Sequence, residues 1–149
     1  MQHSWSSKEA RVGIEENKAV VERFFDEIVG RGQVDLVDQV CDAAIVNHAA
    51  VPDRQRGIEN LKAVLAFSLT AQPDQRWVER YVLADGDLVV AYGRRDGTWQ
   101  ARSFRGIDTP SSGPVSVELA HMFRLRDGKI VEHWAVRDDL GMMQQLGVI

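Results

Sequence analysis

Three histidines, His48, His121 and His133, fall in segments that read as extended chain. An imidazole can take up or release a proton near neutral pH, so their setting decides whether acid/base chemistry is available. The stretch PVSVELAHMFRLR alternates strictly. Val115, Val117, Leu119, His121, Phe123 and Leu125 share one face, and Ser116, Glu118, Ala120, Met122, Arg124 and Arg126 the other, as on a half-buried strand. His121 therefore points with the apolar set toward a core or cavity. His133 lies on the next strand, KIVEHWAV, beyond an Asp127-Gly128 pair that signals a hairpin.

The register of that hairpin decides what faces His121. A two-residue loop pairs it with Trp134. A three-residue loop over Arg126-Asp127-Gly128, with the glycine left-handed, pairs it with His133 and pairs Leu119 with Ala135. A slip of one residue turns every side chain to the other face, and spacing alone leaves both registers open. In the second, two imidazoles stand together in apolar surroundings and each disfavours protonation of the other. Such a neutral pair can position a proton or an oxyanion without a metal.

In NHAAVP, Asn47 and His48 occupy consecutive positions of an extended piece, so at most one of them faces inward. Asn47 is a candidate oxyanion donor, and His48 a candidate substrate contact. Trp77, Tyr81, Tyr92 and Trp99 are candidate walls for a flat substrate, with plain core packing as the alternative. The three histidines could supply nitrogen ligands, but no carboxylate stands at a familiar metal-site spacing, so no metal is expected. No G-x-S-x-G elbow and no phosphate-cradling glycine loop occurs.

The elements that must position these residues change period midway. Val20, Val21, Phe24, Phe25 and Ile28 mark a first helix, Val34, Val37 and Val40 a short second one, and Ile58, Leu61, Val64 and Leu65 a third. Five strands follow, RWVERYVL, DLVVAYGRR, TWQARSF, PVSVELAHMFRLR and KIVEHWAV, with hairpin signals at Asp85-Gly86, Asp96-Gly97 and Asp127-Gly128. Asp138 or Asp139 caps a last short helix. Residues 1–14 read as a flexible polar tail before a single domain at 15–149. Helices first and a strand meander afterwards predict an α+β fold, helices packed on a curved antiparallel sheet, with a pocket between them for a hydrophobic small molecule.

A hydrophobic share of 44%, a charged share of 27% and a net charge of −4 describe an ordinary soluble domain without a basic footprint for nucleic acid. The lone Cys41 reads as a small buried hydrophobe on the short second helix. No apolar run is long enough to span a membrane, and the N-terminus lacks a secretory signal, so a cytoplasmic setting is expected.

The blocks HAAVPDRQRGIENLK, PDQRWVERYVLADGDLVVAYGRRDGTW and HMFRLRDGKIVEHWAVRDDLGMMQQLG resemble the SnoaL-like polyketide cyclase group of the nuclear transport factor 2-like superfamily, over about Glu15 to Gly147. The resemblance implies a cone-shaped fold, a homodimer, no cofactor, and a pocket lined by His121 and His133, which favours the three-residue loop. It places Ala120, Met122 and Trp134 on a dimer patch. Cyclases of the group close a ring by an intramolecular aldol reaction, using an Asp on the last strand that is Ala135 here; a substrate-binding Gln matches Leu119. Alanine cannot accept a proton. The expectation is therefore an acid/base enzyme acting on a polycyclic polyketide-like substrate, a cyclase or isomerase, with His121 and His133 as its pair. The alternatives are a hydroxylase-type member of the group or a ligand-binding homologue.

Overall fold

The spacing of Val21, Phe24, Phe25 and Ile28 does produce a helix, but not a uniform one. In the computed structural model, which describes residues 7–110 and 112–149, helix α1 spans Ser7–Arg23 and continues as a π-helical stretch, Phe24–Val29. The Gly30 N–H closes that wider turn by donating to the Phe25 carbonyl at 2.7 Å. The extra residue per turn lets the adjacent Phe24 and Phe25 both reach the core. Residues 7–14, expected as tail, are helical; the rest of that expected tail lies outside the described residues.

A short turn, Val34–Leu36, leads into α2, Val37–Val40, and directly into strand β1, Cys41–Asn47. Cys41 thus begins the strand rather than sitting on the helix, and burial pushes its thiol up to about 12. Helix α3 covers Ile58–Ala71, with Ile58, Leu61 and Leu65 buried against the sheet.

The main sheet contains β1, β2 (Arg76–Asp85), β3 (Leu88–Trp99), β6 (Gly113–Arg126) and β7 (Lys129–Arg137), in the order β1-β7-β6-β3-β2. All neighbours are antiparallel except β1, which lies parallel to β7. A small separate pair, β4 (Ser103–Phe104) and β5 (Ile107–Asp108), occupies the loop before β6. Helix α4, Asp139–Gln145, closes the chain, capped by Asp138, whose carboxylate accepts from the Gly141 N–H at 2.8 Å.

Two expectations about turns are corrected. Asp96-Gly97 is not a hairpin: both residues lie inside β3, opposite Ser116 and Val115. Neighbouring side chains replace the turn chemistry, since the Asp74 carboxylate accepts from Thr98 N–H and Oγ1, and Ser116 Oγ donates to Asp96. The β6–β7 hairpin follows neither proposed register along its whole length. Asp127 and Gly128 both have positive φ, 52° and 75°, and form a two-residue turn between Arg126 and Lys129. An extra residue, Val131, then bulges from β7 between the Leu125–Ile130 and Arg124–Glu132 pairs. Beyond it His121 stands opposite Ala135, and Phe123 opposite His133.

That bulge matters because it changes parity. Ile130 points into the core, and without Val131 its face would continue with Glu132 and Trp134. With it, His133, Ala135 and Arg137 turn inward instead, toward α3 and the π-helical stretch.

Candidate active site

The inward residues of β6, β7, β1 and β3 meet the helices around a partly open cavity of about 110 Å³. Phe24, Phe25, Leu61, Val64 and Leu65 supply its helical wall. Trp77, Asn47, His121, His133 and Ala135, all expected at the site, line it, and Arg95, Arg137 and Gln75 join them. The three additions share one obstacle in the sequence, since charged or amide residues in strands and turns ordinarily face water. Parity held the signal for Arg95, which alternates with Val89, Ala91, Gly93 and Trp99.

The two imidazoles are in direct contact. Nδ1 of His121 lies 2.7 Å from Nε2 of His133, and Nδ1 of His133 lies 2.8 Å from Oδ1 of Asn47. Although the residues are diagonal rather than opposite on the sheet, their rings stack at 5.0 Å. Aromatic rings enclose them: Phe25 meets His121 at 5.4 Å, Trp77 meets it at 5.8 Å, and Phe123 lies 4.9 Å from His133.

This environment sets the protonation of the pair. Burial holds His121 well below the usual imidazole range, helped by His133 and by the charges of Arg95 and Arg137. Burial likewise lowers His133 to about 3, with Arg137 and His48 as lesser causes. Both rings are neutral at neutral pH.

The hydrogen bonds then fix the tautomers. The Ala49 N–H donates to Oδ1 of Asn47 at 3.1 Å, which orients the carboxamide with its oxygen toward His133. Only Nδ1–H of His133 can satisfy that oxygen, so its Nε2 is bare and accepts from Nδ1–H of His121. The chain of donors ends on Nε2 of His121, which carries a lone pair and has no hydrogen-bond partner among the described residues. A base is thereby left at the end of an Asn47–His133–His121 relay.

The remaining expected site residues lie elsewhere. His48 turns to the outer face, stacks on Trp134 at 4.7 Å and bonds Glu132 at 2.9 Å, so the three histidines do not converge as metal ligands. Among the described residues no group of three or more His, Cys, Asp or Glu side chains is placed to hold a metal. Tyr81 and Tyr92 stack on each other on the outer face, 60% and 46% exposed. Trp99 is buried in a second apolar cluster with Phe104 and Met142. Leu119 faces inward between Gly93 and Arg137, packed beside the cavity rather than on its lining.

A family model described as SnoaL-like polyketide cyclase matches residues 19–146. No curated protein matches the chain. Among solved structures, TsrD from Streptomyces laurentii superposes with a TM-score of 0.76 at 25% identity, over 91% of this chain and 97% of that one. IdmH from Streptomyces antibioticus, a candidate polyketide cyclase, gives 0.71 at 25% identity over 88% and 98% of the two chains. AclR from Streptomyces galilaeus, a candidate hydroxylase, gives 0.75 at 24% identity over 91% and 98%.

Proposed function

The chain belongs to the SnoaL-like polyketide cyclase family, and on that basis we propose that it is a cofactor-independent acid/base enzyme that moves a proton next to a carbonyl group. Nε2 of His121 is the catalytic base, and the reading rests chiefly on its unprotonated state at the end of the Asn47–His133–His121 relay. His121 removes a proton from the carbon beside the carbonyl, and the electron pair moves onto the carbonyl oxygen as an enolate. In an isomerase the same imidazolium returns the proton to a more distant carbon. In a cyclase the enolate carbon bonds to a second carbonyl carbon, and the proton goes to the new alkoxide. His133 and Asn47 are positioning residues: Nε2 of His133 accepts from Nδ1–H of His121, and Oδ1 of Asn47 accepts from Nδ1–H of His133 and holds that ring in place, so that His121 does not present its protonated nitrogen to the substrate.

The family supports a polyketide-derived substrate. The cavity is about 110 Å³, below the usual 300–1,000 Å³ of drug-sized ligand sites and close to the space of one ring, so a polycyclic substrate inserts a single ring. Cyclohex-3-en-1-one is a suitable neutral probe, because its isomerisation to the conjugated enone needs only proton transfer. The native protein should accelerate it over imidazole buffer, and His121→Ala should lose about 10²- to 10⁴-fold. No acceleration by the native protein, or no loss in the variant, would contradict the proposal. Ala135, standing where the family's cyclases keep an Asp, favours a second reading, a ligand-binding homologue, which expects saturable binding of the probe without turnover.

A further inference from the structure

The cavity contains more positive charge than the proton-transfer step requires. Arg95 reaches it from β3 and Arg137 from β7. The carboxylate that serves this corner, Asp139, is engaged on one oxygen only: Nε of Arg105 approaches its Oδ2 at 2.6 Å, while its buried Oδ1 has no hydrogen-bond partner among the described residues. Nε of Arg137 stands 3.6 Å from Oδ1 of the same residue, too far for a hydrogen bond. Arg95 makes no ion pair among the described residues, and its buried Nε has no hydrogen-bond partner there. Arg105 and Arg137 thus share one carboxylate, and Arg95 stands beside them without an ion pair among the described residues. Arg95 is lowered to about 10 by burial, which still leaves it charged at neutral pH.

A second, independent orphan lies on the same lining. Gln75 is 7% exposed; its amide nitrogen donates to Ser68 and Gln72, while its buried Oε1 has no partner. Buried donors and acceptors are rarely left unmade, because each forfeits its bond to water without replacement. The unmade Arg95 donor calls for an acceptor on a ligand, whereas Oε1 of Gln75 calls for a donor such as a ligand hydroxyl and does not itself favour an anion.

The layout fits an acid. On the inner face Arg137 stands opposite Leu119 and Arg95 opposite Val117, while His121 stands opposite Ala135. The arginines are therefore rooted one and two pleat repeats from His121 along the sheet, about 7 and 13 Å at the backbone. Their side chains reach back toward the cavity that His121 also lines. Ala91 and Ala135, flanking His121, keep the space at the imidazoles open.

We propose that this end of the cavity is a carboxylate subsite, in which Arg95 and Arg137 hold the carboxylate of a substrate acid about one ring in size, its ring lying against His121. A guanidinium fork matches a carboxylate edge to edge, and its planar donors suit a buried site better than a lysine would. The proposal deepens the proton-transfer reading, since it names the acid as the substrate class of that same base. A bound carboxylate also offsets the cationic charges that act on the imidazoles, so the ligand itself makes His121 a better proton acceptor.

Benzoate and its neutral isostere benzamide, titrated into the native protein, test the subsite. Binding is read from the change in tryptophan fluorescence and from the imidazole signals of His121 and His133. Benzoate should bind saturably at millimolar concentration or below, and benzamide at least tenfold more weakly. Arg95→Met should lose that preference while still binding benzamide, and Arg137→Gln should weaken benzoate in the same sense. Equal binding of the two probes, no saturable benzoate binding by the native protein, or an unchanged preference in a folded Arg95→Met would overturn the proposal. The probe comparison is made on the native protein and so stands even if a variant does not fold. Benzoate binding without isomerisation of cyclohex-3-en-1-one would sink the catalytic reading alone. Isomerisation of that neutral enone without benzoate binding would sink the carboxylate subsite alone.

Discussion

At the scale of single residues, the chemistry of the site turns on which imidazole nitrogens carry protons. An unperturbed imidazole base loses about tenfold in rate for each pH unit below 6.5. His121 is held well below that value, so kcat/KM for the enone should stay flat as pH falls from 7 to 5. A limb at pH 6.5 in the rate profile would show an ordinary, solvated base instead. Ala135 faces His121 across β6 and β7, where opposed Cβ atoms lie about 4.5–5.5 Å apart. Ala135→Asp therefore puts a carboxylate beside the ring and should raise the His121 pKa toward neutrality, as histidine NMR would show. An unchanged His121 titration would mean the two positions do not communicate. The sequence made His121, His133 and Asn47 legible through alternation and residue type. It hid Arg95 and Arg137, because a cation on a strand reads as a solvated one until the parity of its neighbours is followed.

At the scale of elements, a single bulge assembles the site. The alternation on β6 named the inward face, but the parity of β7 depended on Val131. Bulges leave no composition signal, so the two-residue loop was right at the turn but neither register held beyond Val131, although the contact of His121 with His133 is the one expected. The helices and four of the five expected strands were legible from their apolar periods, whereas TWQARSF is not one strand: Thr98 and Trp99 end β3, and only Ser103–Phe104 of the rest is a strand, β4, outside the main sheet. Asp96-Gly97 was misread because long-range pairing with β6 outweighs the local turn preference of a D-G pair. A second irregularity, between Trp77 and Glu79 on β2, leans Trp77 toward His121. Only glycine fits beneath it, since a Cβ at Gly93 would collide with the Glu79 carbonyl and press on Trp77 at 3.0 Å. Gly93→Ala should cost about 1–3 kcal/mol in urea unfolding, and a neutral result would show that the bulge relaxes freely.

At the scale of the whole molecule, the two faces of the sheet do different work. The outer face presents cross-strand rows, Tyr81–Tyr92–Ala120–Val136 and Leu83–Val90–Met122–Trp134, with Leu83 70% and Val136 76% exposed. A contiguous apolar face of this kind suits burial against a second copy of the chain, in keeping with the dimer expected for the family. Val136→Lys should shift the protein to monomer in sedimentation velocity; a native protein that is already monomeric would remove the dimer from the account. The inner face governs acid stability. Both imidazoles are depressed relative to the unfolded chain, which takes up protons below about pH 6.5. Their contribution is complete above that pH and declines as pH falls toward about 3 for His133. The loss is about 1.4 kcal/mol per pH unit for each ring. Urea midpoints should fall between pH 6.5 and 5, and a midpoint constant over that range would mean the rings are not buried neutral.

The most direct test of the relay is ¹⁵N NMR of the histidine side chains at neutral pH. His133 should be protonated on Nδ1 alone and His121 on Nδ1 with a bare Nε2, and neither ring should titrate between pH 8 and 5. A proton on Nε2 of His121, or titration of either ring near 6.5, would contradict the relay.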